Sequence, residues 1–121
     1  MKHWASNWKA SIRPAKQRKY AAEAPLHIKH KLLGAHLSKE LRTKHQRRSI
    51  SIRNGDKIKI ARGQFRGKTG KVERVLLRKC RVLIGGIELT KRDGSKVPYP
   101  IHPSNCIITE LSSDKRRLEQ E

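Results

Sequence analysis

The part of this sequence best suited to binding chemistry is a cationic loop that carries three glycines. It spans residues 62–70 (RGQFRGKTG), with Gly63, Gly67 and Gly70 at spacings of four and three. Glycine permits a positive φ and lets another backbone approach without an intervening side chain. The glycines match neither the phosphate-binding loop of nucleoside triphosphatases nor the dinucleotide fingerprint. The loop therefore suits the close approach of another backbone and carries no motif of a nucleotide-binding enzyme.

Two other groups of residues suggest metal or catalytic chemistry, and both are weak. Four of the six histidines lie between His27 and His45, but no cysteine or acidic pair completes a ligand set at the spacing of a zinc site. His102, Ser104 and Asp114 could form a hydrolase triad, but a triad needs a rigid pocket and a positioned acid, and Asp114 lies in a polar tail. We expect no metal, no cofactor, no small-molecule substrate and no enzymatic activity.

The charge balance indicates a polyanionic partner. The 121 residues include 30 Lys and Arg against 10 Asp and Glu, a net charge of +20, and 35% are hydrophobic, below the usual range of about 45–50%. A compact domain at this charge repels itself, so we expect its natural state to include a polyanion. The length leaves room for one small domain with appendages, and a conventional enzyme with a deep apolar pocket is nearly excluded.

The sequence predicts an intracellular protein without a membrane partner. No window approaches the roughly 18 consecutive apolar residues of a transmembrane helix. The first eight residues lack the apolar stretch of a signal peptide. Cys80 and Cys106 are 26 residues apart and form no CxxC pair. A disulfide between them is one option, but two lone thiols are more often small core residues in a reducing compartment.

The elements that must position the glycine loop fall into three segments. We predict a basic N-terminal arm with short helices over residues 1–48, a β domain over residues 49–111 and a polar tail over residues 112–121. Pro14 and Pro25 divide the first part of the arm into two short segments. Too few apolar residues are present to offset the ordering entropy of the arm, so we expect it to be disordered alone and to fold against a partner.

Leucines in the arm predict a surface for that docking. Leu33, Leu37 and Leu41 recur every four residues, the spacing of one narrow apolar stripe on a helix. Ser38 is a suitable N-cap for a helix over residues 39–45, so the stripe is predicted to run along two helical pieces.

Alternation of apolar and polar residues predicts short strands in the second half. The segments 50–52 and 58–60 alternate with period two around a tight turn at residues 54–56. Val72 and Val75 stand at an odd spacing, so a bulge or sharp bend must bring both into one core. Further strands are predicted over residues 80–84, 87–90, 96–97 and 106–109, with turns at 78–79 and 93–94. This pattern predicts a small closed or nearly closed barrel.

These features resemble two known patterns. The turn at 54–56, the strand through Ile60, the glycine loop and the two valines resemble the KOW motif, found in SH3-like barrels of translation and transcription proteins. Residues 24–27 (APLH), 35–42 (AHLSKELR) and 97–105 (VPYPIHPSN) resemble the archaeal and eukaryotic form of large-subunit ribosomal protein twenty-four, called twenty-six in eukaryotic naming.

The resemblance covers roughly residues 14–111, with departures. Arg66 stands where a lysine is common, and Gly85 stands where an acidic residue is expected. Residues 1–12, with Trp4 and Trp8, match no part of the family pattern, so no role is carried onto them.

The resemblance implies a mostly β fold, a small SH3-like (KOW) barrel with a basic, partly helical N-terminal extension. It implies a cytoplasmic structural component of the large ribosomal subunit that binds large-subunit rRNA near its 5′ end and contacts neighbouring ribosomal proteins. It also implies action early in subunit assembly and a position near the exit of the nascent-chain tunnel.

The side chains that we predict to contact rRNA lie around the glycine loop, along the arm and at the junction of the two. They are Arg62, Arg66, Lys68 and Lys71 at the loop, Lys16, Arg18, Lys19, His27, Lys29, Lys31, Lys44, Arg47 and Arg48 in the arm, and Arg53 at the junction. Each phosphate that they neutralise would release a condensed counterion, so we expect binding to weaken steeply as salt rises.

Two other classes of function compete with this interpretation. A KOW-type transcription elongation regulator would need a further domain to grip the polymerase, and none fits in the basic arm. A DNA-compacting protein would bind duplex DNA and rRNA fragments with equal affinity.

Overall fold

The N-terminal part of the protein is helical. The computed structural model describes residues 4–112, so most of the predicted tail over residues 112–121 lies outside the described residues. A 3-10 helix over Ser6–Ala10 precedes three α-helices: α1 (Pro14–Glu23), α2 (Leu26–Leu32) and α3 (Lys39–His45). Pro14 stands in the first turn of α1, and Pro25 is the N-cap of α2. Proline suits these positions because the first backbone N–H groups of a helix have no partner within it.

Eight strands form the rest of the fold. They are β1 (Gly34–Leu37), β2 (Ser49–Ser51), β3 (Lys57–Ile60), β4 (Thr69–Leu76), β5 (Arg81–Ile84), β6 (Glu88–Thr90), β7 (Lys96–Pro98) and β8 (Cys106–Glu110), with a 3-10 helix over Pro103–Asn105. Six strands form one sheet in the order β2-β1-β8-β3-β4-β5, and β6 pairs with β7. The mostly β, barrel-like fold with a helical N-terminal extension is confirmed.

Alternating burial builds the core of the sheet. In β3, Ile58 and Ile60 are buried, whereas Lys57 and Lys59 are exposed. Isoleucines and valines from β4, β5 and β8 pack against them, together with Phe65 from the glycine loop. Every second side chain of a strand points to the same face, so the strands bury their apolar residues and leave their cations in solvent.

Strand β4 turns the corner between two ladders. Thr69–Lys71 pair with β3, and Val72–Leu76 pair with β5, with a register shift between Val72 and Arg74. Val72 is buried, and Val75 packs against the core in spite of the odd spacing. The predicted bulge is confirmed.

The prediction of helix around Leu33 and Leu37 is wrong. Residues 34–37 form β1, which pairs antiparallel with β2 and parallel with β8. Leu33, Ala35 and Leu37 are spaced by two, so the same leucines fit a strand with Gly34 and His36 exposed. The leucines fit both a helix, with a spacing of four, and a strand, with a spacing of two. Tertiary contacts select the strand, because β8 offers backbone hydrogen bonds to residues 34–37 that the local sequence does not reveal.

The predicted cap of α3 is confirmed. The Ser38 hydroxyl accepts a hydrogen bond from the Leu41 N–H at 3.5 Å. A side-chain oxygen at this position satisfies one of the backbone donors that the first turn of a helix leaves open. The cap therefore separates α3 from β1.

Two details of the β half refine the sequence prediction. Cys80, predicted to begin a strand, belongs to the preceding turn with a φ of 51°, and β5 begins at Arg81. The turn at Asp93 and Gly94 is confirmed: Gly94 has a φ of 90°, and the Ser95 N–H donates to Asp93 Oδ1 at 2.9 Å.

Gly70 lies where two backbones approach closely. A Cβ atom at this position would stand 2.6 Å from the Gly85 carbonyl oxygen and 2.6 Å from Ile84 Cγ2. We predict that Gly70→Ala lowers the free energy of unfolding by about 1–3 kcal/mol, because the backbone must shift to relieve the overlap. Denaturant unfolding followed by circular dichroism measures this decrease.

The matched control for that substitution is Gly34→Ala. A Cβ atom there would lie 3.9 Å from the Lys31 carbonyl oxygen, so the change should be neutral or stabilise by up to about 1 kcal/mol. Equal decreases in the two variants would show that close packing at Gly70 is not the cause.

The place of β1 in the sheet gives a second prediction. Leu37 is fully buried in the core, so Leu37→Ala should lower the free energy of unfolding of the whole domain by about 2–5 kcal/mol. Leu26→Ala on α2 is the control, since Leu26 is 54% exposed and its truncation should cost no more than about 1 kcal/mol. A small effect of Leu37→Ala would mean that β1 belongs to a separable arm, as the predicted boundary at residues 48 and 49 supposes.

Candidate nucleic-acid interface

The glycine loop is held in one shape by its own backbone. Gly63 and Gly67 have φ values of 95° and 88°, a left-handed conformation that favours glycine. The Gly67 N–H donates to the Ile60 carbonyl at 2.8 Å, and the Ile60 N–H donates to the Lys68 carbonyl at 2.9 Å. A Cβ at Gly63 or Gly67 would meet no atom within 4 Å. The backbone conformation, rather than crowding, therefore requires glycine at these two positions.

An aromatic anchor fixes the loop to the barrel. Phe65 is 6% exposed, and its ring centroid lies 5.2 Å from that of Tyr99. The Lys68 ammonium nitrogen lies 5.1 Å from the Phe65 ring centroid, within the range of a cation–π contact. Arg62 and Arg66 are exposed on the loop. The loop thus presents cationic side chains to solvent from a backbone that is held by hydrogen bonds and by the buried Phe65 ring.

A second cationic feature is a cleft of about 320 Å³ beside the edge of the sheet. We call it the β1–β2 cleft. Lys31 comes to it from α2, Arg47 from the segment after α3, and Arg53 from the segment after β2. Ser49 and Ser51 of β2 also line it. Three predicted rRNA-binding residues that lie up to 22 positions apart in the sequence therefore meet at one site.

A buried aspartate organises the neighbourhood of Arg53. Asp56 is fully buried, and its carboxylate accepts the Arg53 N–H at 3.0 Å and the Ser112 N–H at 2.9 Å. The Val72 N–H also donates to the Asp56 backbone carbonyl at 2.9 Å. The sequence marks this residue only as part of a turn, because nothing local shows that its carboxylate holds the segment after β8 to the β2–β3 connection.

The other predicted residues are spread over the surface. Lys16, Arg18 and Lys19 are exposed on α1, His27 is exposed on α2, Lys44 is exposed on α3, Arg48 is exposed before β2, and Lys71 is exposed on β4. These residues lie in five elements or segments, and they form a dispersed cationic surface rather than a single pocket.

Lys29 differs from the other predicted residues. It is 6% exposed, and its ammonium group donates to the Arg78 carbonyl at 3.0 Å. The aliphatic stem is covered while the charge satisfies a carbonyl of the β4–β5 turn. The structure therefore favours a role for Lys29 in holding α2 against the barrel, which the residue type alone does not reveal.

The two tryptophans pack within the arm. The Trp4 ring stacks on Tyr20 at a centroid distance of 5.3 Å, and its indole N–H donates to the Tyr20 carbonyl at 3.0 Å. The Lys19 ammonium nitrogen lies 5.2 Å from the Trp8 ring centroid. These contacts fold the segment before α1 back along that helix.

The remaining histidines and cysteines do not form a chemical centre. In the stretch that the structure covers, no three His, Cys, Asp or Glu side chains are grouped so that they could hold a metal ion. No helix among residues 4–112 is long and apolar enough to cross a membrane. Burial raises the pKa of the Cys106 thiol to about 12, so this thiol stays protonated and unreactive. Cys80 is half-buried, and both thiols are free.

His102 gives a pH-dependent prediction. Desolvation, with a smaller contribution from Arg81, holds the pKa of His102 below its usual value of 6.5. The unfolded chain therefore binds this proton more readily, so the free energy of unfolding should fall as the pH drops below 6.5 and level off below the folded pKa. His102→Asn keeps an acceptor for the Ser104 N–H and cannot titrate. Its melting temperature should fall less than that of the parent between about pH 7.5 and pH 5, and identical pH profiles would contradict the shift.

Comparisons with known proteins show which family and which relatives this chain is similar to. The family described as the eukaryotic ribosomal proteins L26 and their archaeal counterparts matches residues 11–120. The large ribosomal subunit protein uL24 of Methanosphaera stadtmanae is 48% identical over 110 residues, which cover 91% of this chain and 94% of the relative. The proteins of the same name from Methanospirillum hungatei and Korarchaeum cryptofilum are 44% and 45% identical, over 91% of this chain and 92% and 87% of their own lengths.

Proposed function

We propose, from the premise that the chain belongs to this archaeal and eukaryotic family of large-subunit ribosomal proteins, that it binds large-subunit rRNA through the β1–β2 cleft, the glycine loop and the exposed cations of its arm. Proteins of this family are structural components of the cytoplasmic ribosome and are not enzymes. The chain accordingly needs surfaces that fit RNA rather than a catalytic centre.

The observation that carries the proposal is the meeting of Lys31, Arg47 and Arg53 at the β1–β2 cleft. A phosphate that enters the cleft would meet cations from three separate elements, and guanidinium groups suit phosphate because they offer several donors in one plane. The release of condensed counterions from the RNA would supply much of the binding free energy.

The glycine loop would contribute recognition of shape. An A-form RNA helix has a deep, narrow major groove that side chains read poorly, so a protein recognises it mainly through its backbone geometry. A loop with a fixed backbone gives up little conformational entropy when it binds. Arg62, Arg66 and Lys68 would therefore contact phosphates from defined backbone positions, unlike the cations of a flexible tail.

The finer placement comes from the family resemblance. We infer that the chain binds near the 5′ end of the large-subunit rRNA, joins the subunit early in its assembly and lies near the exit of the nascent-chain tunnel, against neighbouring ribosomal proteins. The high positive charge supports early binding, because a cationic protein can screen RNA segments that would otherwise repel one another.

A KOW-type transcription elongation regulator is not favoured as the alternative. The family match extends over residues 11–120, so most of the arm that would have to grip a polymerase is itself part of the ribosomal family pattern. Retention on immobilised RNA polymerase, without retention on rRNA, would reverse this order.

The proposal predicts a salt dependence that specific charges control. The double variant Arg66→Gln and Lys68→Gln should bind in vitro transcribed large-subunit rRNA of Methanosphaera stadtmanae more weakly than the parent chain. The slope of log K against log salt should become shallower by about 1 for each phosphate that the variant no longer neutralises. Filter binding over a range of potassium chloride concentrations measures both quantities.

The control is a double variant of equal charge, Lys57→Gln and Lys59→Gln on β3. Both lysines are exposed and lie outside the predicted set, and Lys57 is 3.6 Å from the Glu110 carboxylate. Equal changes in slope for the two double variants would show that net charge alone, rather than the glycine loop, governs binding. An absence of salt-dependent rRNA binding by the parent chain would overturn the proposal.

A further inference from the structure

A groove of about 490 Å³ lies where the arm meets the β4–β5 turn. We call it the arm–turn groove. Ala21 and Ala22 line it from α1, Leu32 from α2, and Cys80 from the turn. The sequence assigns no role to any of these four residues, and the groove is separate from the glycine loop. Its volume is within the range of small-molecule sites in proteins, about 300–1,000 Å³.

The walls of the groove are held together by hydrogen bonds. Lys29 on α2 donates to the Arg78 carbonyl, which ties the arm to the turn. The Arg81 guanidinium donates to the Lys79 carbonyl at 3.3 Å and to the Cys80 carbonyl at 3.0 Å. The Cys80 N–H closes the turn by donating to the Leu77 carbonyl at 3.2 Å. The groove is thus a built feature of the arm–barrel junction.

The chemistry of the lining points to an anion with an apolar part. Arg18, Arg78, Lys79 and Arg81 surround the groove, and no carboxylate belongs to its lining among residues 4–112. The alanines and the leucine contribute an apolar floor without hydrogen-bonding side chains. A phosphate alone would use only the cations, and an apolar peptide would use only the floor. A nucleotide uses both, because its phosphate pairs with cations and its base has an apolar face.

His102 also lines the groove. Its Nδ1 atom accepts the Ser104 backbone N–H at 3.1 Å, so the proton of the neutral ring lies on Nε2. The lowered pKa of His102 favours this neutral form at cytoplasmic pH. The ring therefore offers an N–H group that suits the acceptor atoms of a base edge.

We propose that the arm–turn groove binds one unpaired nucleotide of the large-subunit rRNA, with its base against Ala21, Ala22 and Leu32 and its flanking phosphates against the surrounding cations. The proposal rests on the proposed rRNA binding and adds a recognition mode to it. A base in a duplex cannot reach such a floor, so the nucleotide must come from a loop, a bulge or a junction.

Cys80 provides a reporter inside the groove, and Cys106 provides an internal reference. The half-buried Cys80 thiol should react with N-ethylmaleimide in the full-length free protein, whereas the buried Cys106 should not. In vitro transcribed Methanosphaera stadtmanae large-subunit rRNA, at a free concentration of at least about four times its Kd, should slow the reaction at Cys80 at least about fivefold, because the thiol then reacts only in the unoccupied fraction of the protein. Short-wavelength ultraviolet irradiation of the same complex, which excites all four bases, should form photochemical crosslinks to the peptides that contain residues 78–81 or His102.

A pair of variants isolates the groove. Ala22→Glu places a carboxylate on the floor, and it should abolish the crosslinks and weaken binding at least about fivefold, because its charge repels the phosphates of the nucleotide. Ala15→Glu puts the same charge on α1 outside the lining, and it should leave the crosslinks in place. Both alanines are exposed, so neither substitution should prevent folding, which circular dichroism checks.

The outcomes separate this proposal from the proposed function. Salt-dependent rRNA binding with a fully reactive Cys80 would overturn the nucleotide site and leave rRNA binding intact. Protection of Cys80 without a crosslink would also overturn the nucleotide site, because the RNA would then cover the groove and no base would lie inside it. Equal weakening of the crosslinks in Ala22→Glu and Ala15→Glu would assign the effect to net charge and refute the site. A chain that binds no rRNA would refute both proposals.

Discussion

The separation of charge from core by strand alternation is the constraint on which this protein depends. The chain carries a net charge of +20 on 121 residues. Cations at core positions would destabilise the fold, because the burial of an unpaired charge costs much free energy. β3 shows the solution in four residues, with two buried isoleucines that alternate with two exposed lysines. The same alternation lets a small apolar core coexist with a surface that fits a polyanion. Only Lys29 and Asp56 are buried charged groups among residues 4–112, and each is held by hydrogen bonds.

The two buried charged groups each connect segments that are distant in the sequence. Lys29 fastens α2 to the β4–β5 turn, and Asp56 fastens the segment after β8 to the β2–β3 connection. The arm–turn groove lies beside the Lys29 contact, and the β1–β2 cleft includes Arg53, whose N–H donates to Asp56. Both proposed binding surfaces are thus lined jointly by residues of the arm and of the barrel.

The arm is more closely integrated with the barrel than a charged tail would be. Its strand β1 lies between β2 and β8, and the parallel pairing with β8 joins residues about 70 positions apart in the sequence. The glycine loop is built differently, since two left-handed glycines and one buried phenylalanine define the backbone that carries Arg62, Arg66 and Lys68. Long-range strand pairing thus determines where β1 of the arm lies, whereas local backbone geometry determines the shape of the glycine loop.

The amino-acid sequence by itself determined the short-range features of this protein. The turns at Gly55 and Gly94, the bulge between the two valines, the Ser38 cap and the glycine loop all follow from preferences that operate within a few residues. The tertiary structure alone decided that residues 34–37 are a strand and that Cys80 belongs to a turn. It also decided that the buried Lys29 holds α2 to the β4–β5 turn and that Asp56 holds two distant segments together. For the strand, the lysine and the aspartate, the deciding partner lies far away in the chain. A local pattern compatible with two conformations is resolved only by the neighbour that completes its hydrogen bonds and covers its apolar side.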